Sequence, residues 1–175
     1  VKFIFQPAEE GAPPGEEGGA KLMIKEGVMM NPKVEVAFGL HISADTPEGI
    51  LTYKPGGILA AADRFVIQVN GKQSHGSQPW ASIDPIVTSA QIINGIQTII
   101  SRQTELTKEG AVITIGMINS GIRNNIIPES AEMIGTIRTL DTQMQDKIHA
   151  DLIRTATKIG ESMGAQVTVD IEREV

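Results

Sequence analysis

The last two thirds of the sequence predict an α/β sandwich, on three observations. Phe65, Ile67 and Val69 alternate with Val66, Gln68 and Asn70, the period of a strand with one face in a core. Two amphipathic helical stretches follow, each with a capping residue at its start. Three further strand patterns complete the order β-α-β-β-α-β. That order is the split βαβ, or ferredoxin-like, unit, in which a four-stranded sheet carries both helices on one face.

The elements follow in turn. Asp84-Pro85 opens the first helix of the sandwich, with core-facing positions expected at Ile86, Ala90, Ile93, Ile96, Gln97 and Ile100. Strand patterns cover 111–118 and 131–139, separated by a Gly/Asn/Pro turn. The second helix is expected from about Thr142 to Met163. Thr142 with Gln145 forms a candidate capping box, Ile148, Leu152, Ala156 and Ile159 form the stripe, and Gly164 ends it. A last strand covers 166–172. The first third is irregular. Short apolar runs at 2–5, 34–42 and 50–53 read as buried strands, Ala20 to Glu26 as a short helix, and Pro55-Gly56-Gly57 as a boundary. Residues 1–58 therefore read as a piece of one α/β domain, and 59–175 as a second, complete one.

Composition narrows the function. The 175 residues carry 15 Lys+Arg against 21 Asp+Glu, a net charge of −6, which argues against a general nucleic-acid binder. Aromatics make up only 3%, too few for base-stacking platforms. With no cysteine there is neither disulfide nor thiol nucleophile, so a metal would be held by His, Asp or Glu. No run approaches the ~20 apolar residues of a membrane-spanning helix. Nor does a targeting signal appear, which favours a cytoplasmic setting. The chain opens without Met inside a strand-like run and ends in another, so it reads as a section of a longer protein.

Several residues could carry chemistry. Glu9-Glu10 follows a strand pattern; neighbouring carboxylates diverge, so one can ligate a metal while the other acts as a base on its water. An acidic pair alone is more often solvated loop charge. His41 stands at a strand end, a common ligand position and equally a place for a half-buried, carbonyl-bonded imidazole. His75 lies in the Gly/Ser-rich loop Gly71–Pro79, better suited to ligand contact than to core packing. Asn125 offers an amide or simply favours a turn. Arg138, near a strand end, suits bidentate capture of a carboxylate, or a surface ion pair with Asp141 or Glu132. His149 falls on the second helix and is expected at the surface.

Taken together, Gln6-Pro7-Ala8-Glu9-Glu10, Gly39-Leu40-His41, Gly71-Lys72-x-x-His75-Gly76-x-x-Pro79, Asp84-Pro85-Ile86, Asn125-Ile126-Ile127-Pro128 and Gly135-Thr136-Ile137-Arg138-Thr139 resemble the dinuclear metal-dependent aminoacylase/carboxypeptidase family. The resemblance is closest to its amidohydrolase branch of hippurate, N-acyl-amino-acid and auxin-conjugate hydrolases, and it runs over essentially the whole chain. It implies a catalytic α/β domain with two divalent metals (zinc, manganese or cobalt) and an inserted ferredoxin-like lid that forms a homodimer. It implies Glu9 as general base, Glu10 and His41 as metal ligands, and His75 as a lid residue reaching a neighbouring subunit's site. Asn125 and Arg138 would hold a small N-acyl amino acid substrate. Trp80 departs from the branch, which often has a second His there. The branch's Cys-Gly-His-Asp segment and far C-terminal His are missing, leaving fewer ligands than the roughly three protein donors of a catalytic zinc. The resemblance thus implies a section of a metal-dependent amidohydrolase. The alternative is an isolated dimerisation module, catalytically inert as it stands.

Overall fold

The computed structural model describes every residue except Glu10, Pro14, Glu174 and Val175. It divides into two compact units, Val1–Leu51 and Thr52–Val175.

The first unit holds one helix, α1 (Gly19–Lys25), and a bridge between Met30 and Lys33. Lys2 Nζ donates to the carbonyls of Val28 at 2.5 Å and Asn31 at 2.7 Å. None of its described residues is buried. The strands expected at 2–5, 34–42 and 50–53 are not formed: Phe3, Phe5, Phe38, Leu40 and Ile42 are exposed and no ladder joins these runs. The physical reason is that a strand belongs to a sheet. Its alternate donors and acceptors need a neighbour, and these runs find none among the described residues.

The second unit is built on a sheet of four antiparallel strands in the order β3-β5-β1-β6: β1 (Asp63–Asn70), β3 (Ala111–Ser120), β5 (Ser130–Thr139) and β6 (Gln166–Arg173). Two-residue strands β2 (Ser74–His75) and β4 (Ile126–Ile127) form a separate ribbon. Helices α2 (Pro85–Thr98) and α3 (Thr142–Ser162) pack on one face of the large sheet, α2 over β3, β5 and β1, α3 over β6 and β5. This is the ferredoxin-like arrangement that the strand and helix order predicts.

Phe65, Ile67 and Val69 of β1 are fully buried, with Met133 and Ile137 of β5 and Ile113 of β3 beside them. Ile92, Ile96 and Ile99, with Ile148, Leu152 and Ala156, close over them from the helices. On α2 the buried stripe runs through Thr88, Ser89, Ile92 and Ile96; Ile86, Ala90 and Gln97 of the expected stripe face solvent. Ile96 is fully buried and Ile93 and Ile100 pack against the core, so the expected stripe holds along that flank and fails at its first turn, because the helix has isoleucines on several faces. It runs on into a π-helical turn, Ile99–Gln103.

Asp84 caps α2, its carboxylate accepting from the N–H groups of Ile86 (2.8 Å) and Val87 (3.1 Å). On α3 the cap is Asp141, not Thr142, and it accepts from Met144 N–H at 2.7 Å. Asp141 is extended and its carboxylate reaches that N–H, which puts Thr142 already inside the helix. Gly164, at φ +78°, ends α3 as expected. β3 carries a bulge: Ile115 pairs with Gly135 and Met117 with Ile134, leaving Gly116 unpaired. Among the described residues no helix is long and apolar enough to cross a membrane.

Gly135 is where the sheet tolerates no side chain. A Cβ there would lie 2.2 Å from both the Phe65 ring and the Thr114 carbonyl oxygen. Gly135→Ala is expected to cost about 1–3 kcal/mol or more, the usual range for overpacking a core. Urea unfolding of wild type and variant measures it, and equal midpoints would contradict this packing.

Candidate functional site

The β2–β4 ribbon sets up one end of the second unit. His75 pairs with Ile126 and Ser74 with Ile127, while Gly76 N–H donates to the Asn125 carbonyl at 2.8 Å. Gly71 N–H bonds to the Glu129 carbonyl and Lys72 N–H to that of Ile83, tying the ribbon to the sheet end and to the start of α2. Gly76 matters through close approach, since a Cβ there would stand 3.1 Å from the Asn125 oxygen. Two sequence-selected residues, His75 and Asn125, are thereby brought side by side on an exposed edge.

The ring of His75 has a defined polarity. Its Nδ1 lies 3.2 Å from the Ser77 backbone N–H and 2.7 Å from Ser77 Oγ. A backbone N–H only donates, so Nδ1 accepts, and the neutral ring carries its proton on Nε2. His75 thus presents an exposed N–H donor, suited to a carbonyl oxygen that gains negative charge. Beside the ribbon, on the open face of the sheet, a cavity of about 480 Å³ is lined by Gln68, Gln73, Asn119, Glu129 and Glu132.

Arg138 lies elsewhere. It pairs with Val112 near the far end of β5, exposed, on the face away from the helices. It makes no ion pair with Asp141 or Glu132, the partners a surface role would give it. Eight residue steps of extended chain separate it from Ser130 at the ribbon end, roughly 26 Å at about 3.3 Å per step.

In the first unit, Glu9 is exposed in a turn after Ala8, which has φ +51°, and His41 is exposed on an irregular segment. Glu10 lies outside the described residues. Among the described residues no group of at least three His, Asp or Glu side chains comes together as a metal site. The described donors therefore do not by themselves assemble a dinuclear metal centre.

Sequence reasoning missed one cluster. His149, expected at the surface, is only 12% exposed in its side chain, and its Nε2 lies 2.6 Å from Asp63 Oδ2. Gln145 Nε2 donates to both oxygens of Asp63, at 2.9 and 2.8 Å. The reason is position: Gln145 and His149 lie one turn apart on the side of α3 that meets the start of β1. A signal was present, because Asp63 stands two residues before Phe65 in the same alternation and so faces the core.

Residues 61–163 match the family model described as peptidase dimerisation domain. The chain is 43% identical, over its full length, to thermostable carboxypeptidase 2 of Saccharolobus solfataricus, spanning 43% of that protein. It is 39% identical to an N-acetylcysteine deacetylase of Bacillus subtilis, over 95% of this chain and 42% of the relative. Among solved structures, a dinuclear metal-binding peptidase of the M20 family from Bacillus subtilis superimposes with a TM-score of 0.72 at 34% identity, over 98% of this chain and 40% of the other. The chain thus spans about two fifths of the length of these three proteins.

Proposed function

We propose, from the premise that this chain belongs to the peptidase dimerisation-domain family of the M20 peptidases, that it works within a metal-dependent amidohydrolase cleaving N-acyl amino acids or similar small amides. In this reading residues 59–175 are the lid and dimerisation domain, and residues 1–58 are catalytic-domain segments. The observation that carries it is the β2–β4 ribbon, whose backbone sets His75, with its Nε2–H free to donate, next to Asn125 at an exposed end of the unit.

The chemistry assigned to this chain is that of its own side chains. Glu9 takes the proton of the attacking water and returns it to the leaving amine. His75 donates from Nε2 to the carbonyl oxygen as negative charge develops. Arg138 grips the substrate carboxylate with its two-pronged guanidinium, and Asn125 bonds the amide-side polar groups. Glu10 and His41 are the metal-ligand candidates, and they fall short of the roughly three donors a catalytic zinc takes. The remaining ligands would come from elsewhere in the polypeptide. The exposed apolar runs around Phe3, Phe38 and Leu40 are then surfaces meant for that larger domain.

The distance along β5 bears on how these residues are shared. Arg138 and the ribbon stand farther apart than a small N-acyl amino acid spans. One lid cannot bring both to one substrate. A dimer resolves this if His75 and Asn125 serve the partner's site while Arg138 serves its own.

The geometry also favours one edge for that dimer. β3 and β6 are the free edges of the sheet. β6 displays Thr168, Asp170 and Glu172 on its exposed positions, and the two carboxylates discourage strand addition. β3 exposes Val112, Met117 and Ile118.

The 175-residue polypeptide taken by itself supports the second reading, a folded dimerisation module without turnover, since its described donors assemble no metal site. An assay of this chain on N-acetyl amino acids is expected to show no appreciable hydrolysis.

In the enzyme that contains this chain, Glu9→Gln should lower kcat by at least about a hundredfold with metal content near normal. Wild-type turnover would remove Glu9 from the mechanism. Mixing Glu9→Gln with His75→Ala subunits should restore part of the activity, because each mixed dimer has one site with an intact base and an intact partner lid. Mixing Glu9→Gln with Arg138→Ala should restore none. The opposite pattern would reverse the sharing. Separately, Val112→Lys on β3 should shift the protein from dimer to monomer in sedimentation velocity, and an unchanged dimer would rule out that edge.

A further inference from the structure

We infer that Asp63, held by Gln145 and His149, is a positioning residue for Arg138, fixing the end of the sheet from which that guanidinium projects. The inference rests on the reading of Arg138 as the group that binds the substrate carboxylate.

The carboxylate of Asp63 is fully buried. It can only accept, so Gln145 donates at 2.9 and 2.8 Å and His149 donates from Nε2 at 2.6 Å. These bonds tie the first residue of β1 to the first two turns of α3. The backbone carries the constraint onward. Asp63 pairs with Ile137 of β5, and its carbonyl accepts from Thr136 Oγ1 at 2.9 Å. Ala61 N–H bonds to the Thr139 carbonyl at 2.7 Å. Arg138 is therefore bracketed on both sides by residues locked to the start of β1. On the other flank Asp63 pairs with Arg173 of β6, which forms an ion pair with Asp146 of the same α3 turn. One stretch of α3, Gln145 to His149, thus grips two strands at the end where Arg138 stands.

Stability does not account for a charged group here. Replacing a buried ionic cluster by apolar residues of similar volume is often neutral or stabilising. An apolar side chain at position 63 would simply continue the row of Phe65, Ile67 and Val69. What the carboxylate adds is direction: apolar neighbours are interchangeable, whereas Asp63 is satisfied only where Gln145 and His149 meet it. It selects one register and one depth for the strand end, and Arg138 inherits that placement.

The test uses the enzyme that contains this chain and two substrates, an N-acetyl amino acid and its neutral carboxamide counterpart. Asp63→Ala should raise KM for the carboxylate substrate by about tenfold, leave kcat within about twofold, and barely affect the carboxamide. His149→Ala should act in the same direction, and His149→Gln, which keeps a donor, should stay near wild type. Equal losses on both substrates would reduce the cluster to a structural role and overturn the inference. Arg138→Ala is run alongside. If it fails to separate the two substrates, the assignment of Arg138 falls instead, and hydrogen exchange decides on positioning. Amides 136–139 should then exchange faster in Asp63→Ala and His149→Ala while amides 131–134 stay protected; unchanged exchange at 136–139 would overturn it.

Discussion

The burial of one face of β1 under two helices is the constraint on which the folded unit depends. All eight residues of β1 pair with β5 on one side and with β6 on the other, so its phase sets the phase of both neighbours. Phe65, Ile67 and Val69 must point into the core, and a slip of one residue would send all of them to solvent. Once that phase is set, Met133 and Ile137 follow on β5, and Arg64, Val66 and Gln68 are committed to the open face. At roughly 1.5–3 kcal/mol for each large side chain buried, three such residues outweigh any single polar contact at the sheet ends. The polar contacts refine a register that the hydrophobic effect has already chosen.

The same sheet acts as a spacer. Antiparallel strands of this length hold the ribbon with His75 and Asn125 at one end and Arg138 toward the other, with no loop between them able to collapse the distance. Rigid separation suits a device that touches two places at once, and it costs little, since the strands are required for the core in any case. The residues proposed for chemistry are correspondingly exposed, while the groups that orient them, Gly76 in the ribbon and Asp63 behind the strand end, are small or buried. That division follows from elementary physics. A side chain that must meet a substrate needs open space, and the backbone that aims it needs to be held from behind.

Much of this was legible in the residues. The alternation in β1, the Asp-Pro start of α2 and the Gly164 stop of α3 each rest on local rules that tertiary structure had no cause to override. The six motifs likewise point to the family to which the chain belongs. Where reading failed, the cause was non-local. The runs around Phe3 and Phe38 have strand composition, but strand formation depends on a partner that composition cannot supply. The face of α2 was read only in part: Ile93, Ile96 and Ile100 meet the core, whereas Ile86 and Ala90 do not, because isoleucines surround the helix and only the sheet beneath it selects Thr88 and Ile92 in their place. His149 was placed at the surface because its partner Asp63 lies 86 residues away in sequence. The proximity of His75 to Asn125 was equally hidden, because it depends on pairing of two strands of two residues each. The motifs named both residues without indicating that they would meet, or that Arg138 would stand apart.

The unpaired Gly116 in β3 has a consequence for the company this strand can keep. Before the bulge, odd-numbered residues of β3 face the helices; beyond it the phase shifts, and Ile118 takes the position opposite Met133. The exposed edge is therefore a ladder with a dislocation in it, its rungs out of step on either side of one glycine. A regular extended peptide laid along it can match the rungs above the dislocation or those below, but not both. Only a strand with a compensating irregularity can engage the full length, and a second copy of this chain has such an irregularity built in. A single extra residue can in this way turn an adhesive edge into a selective one.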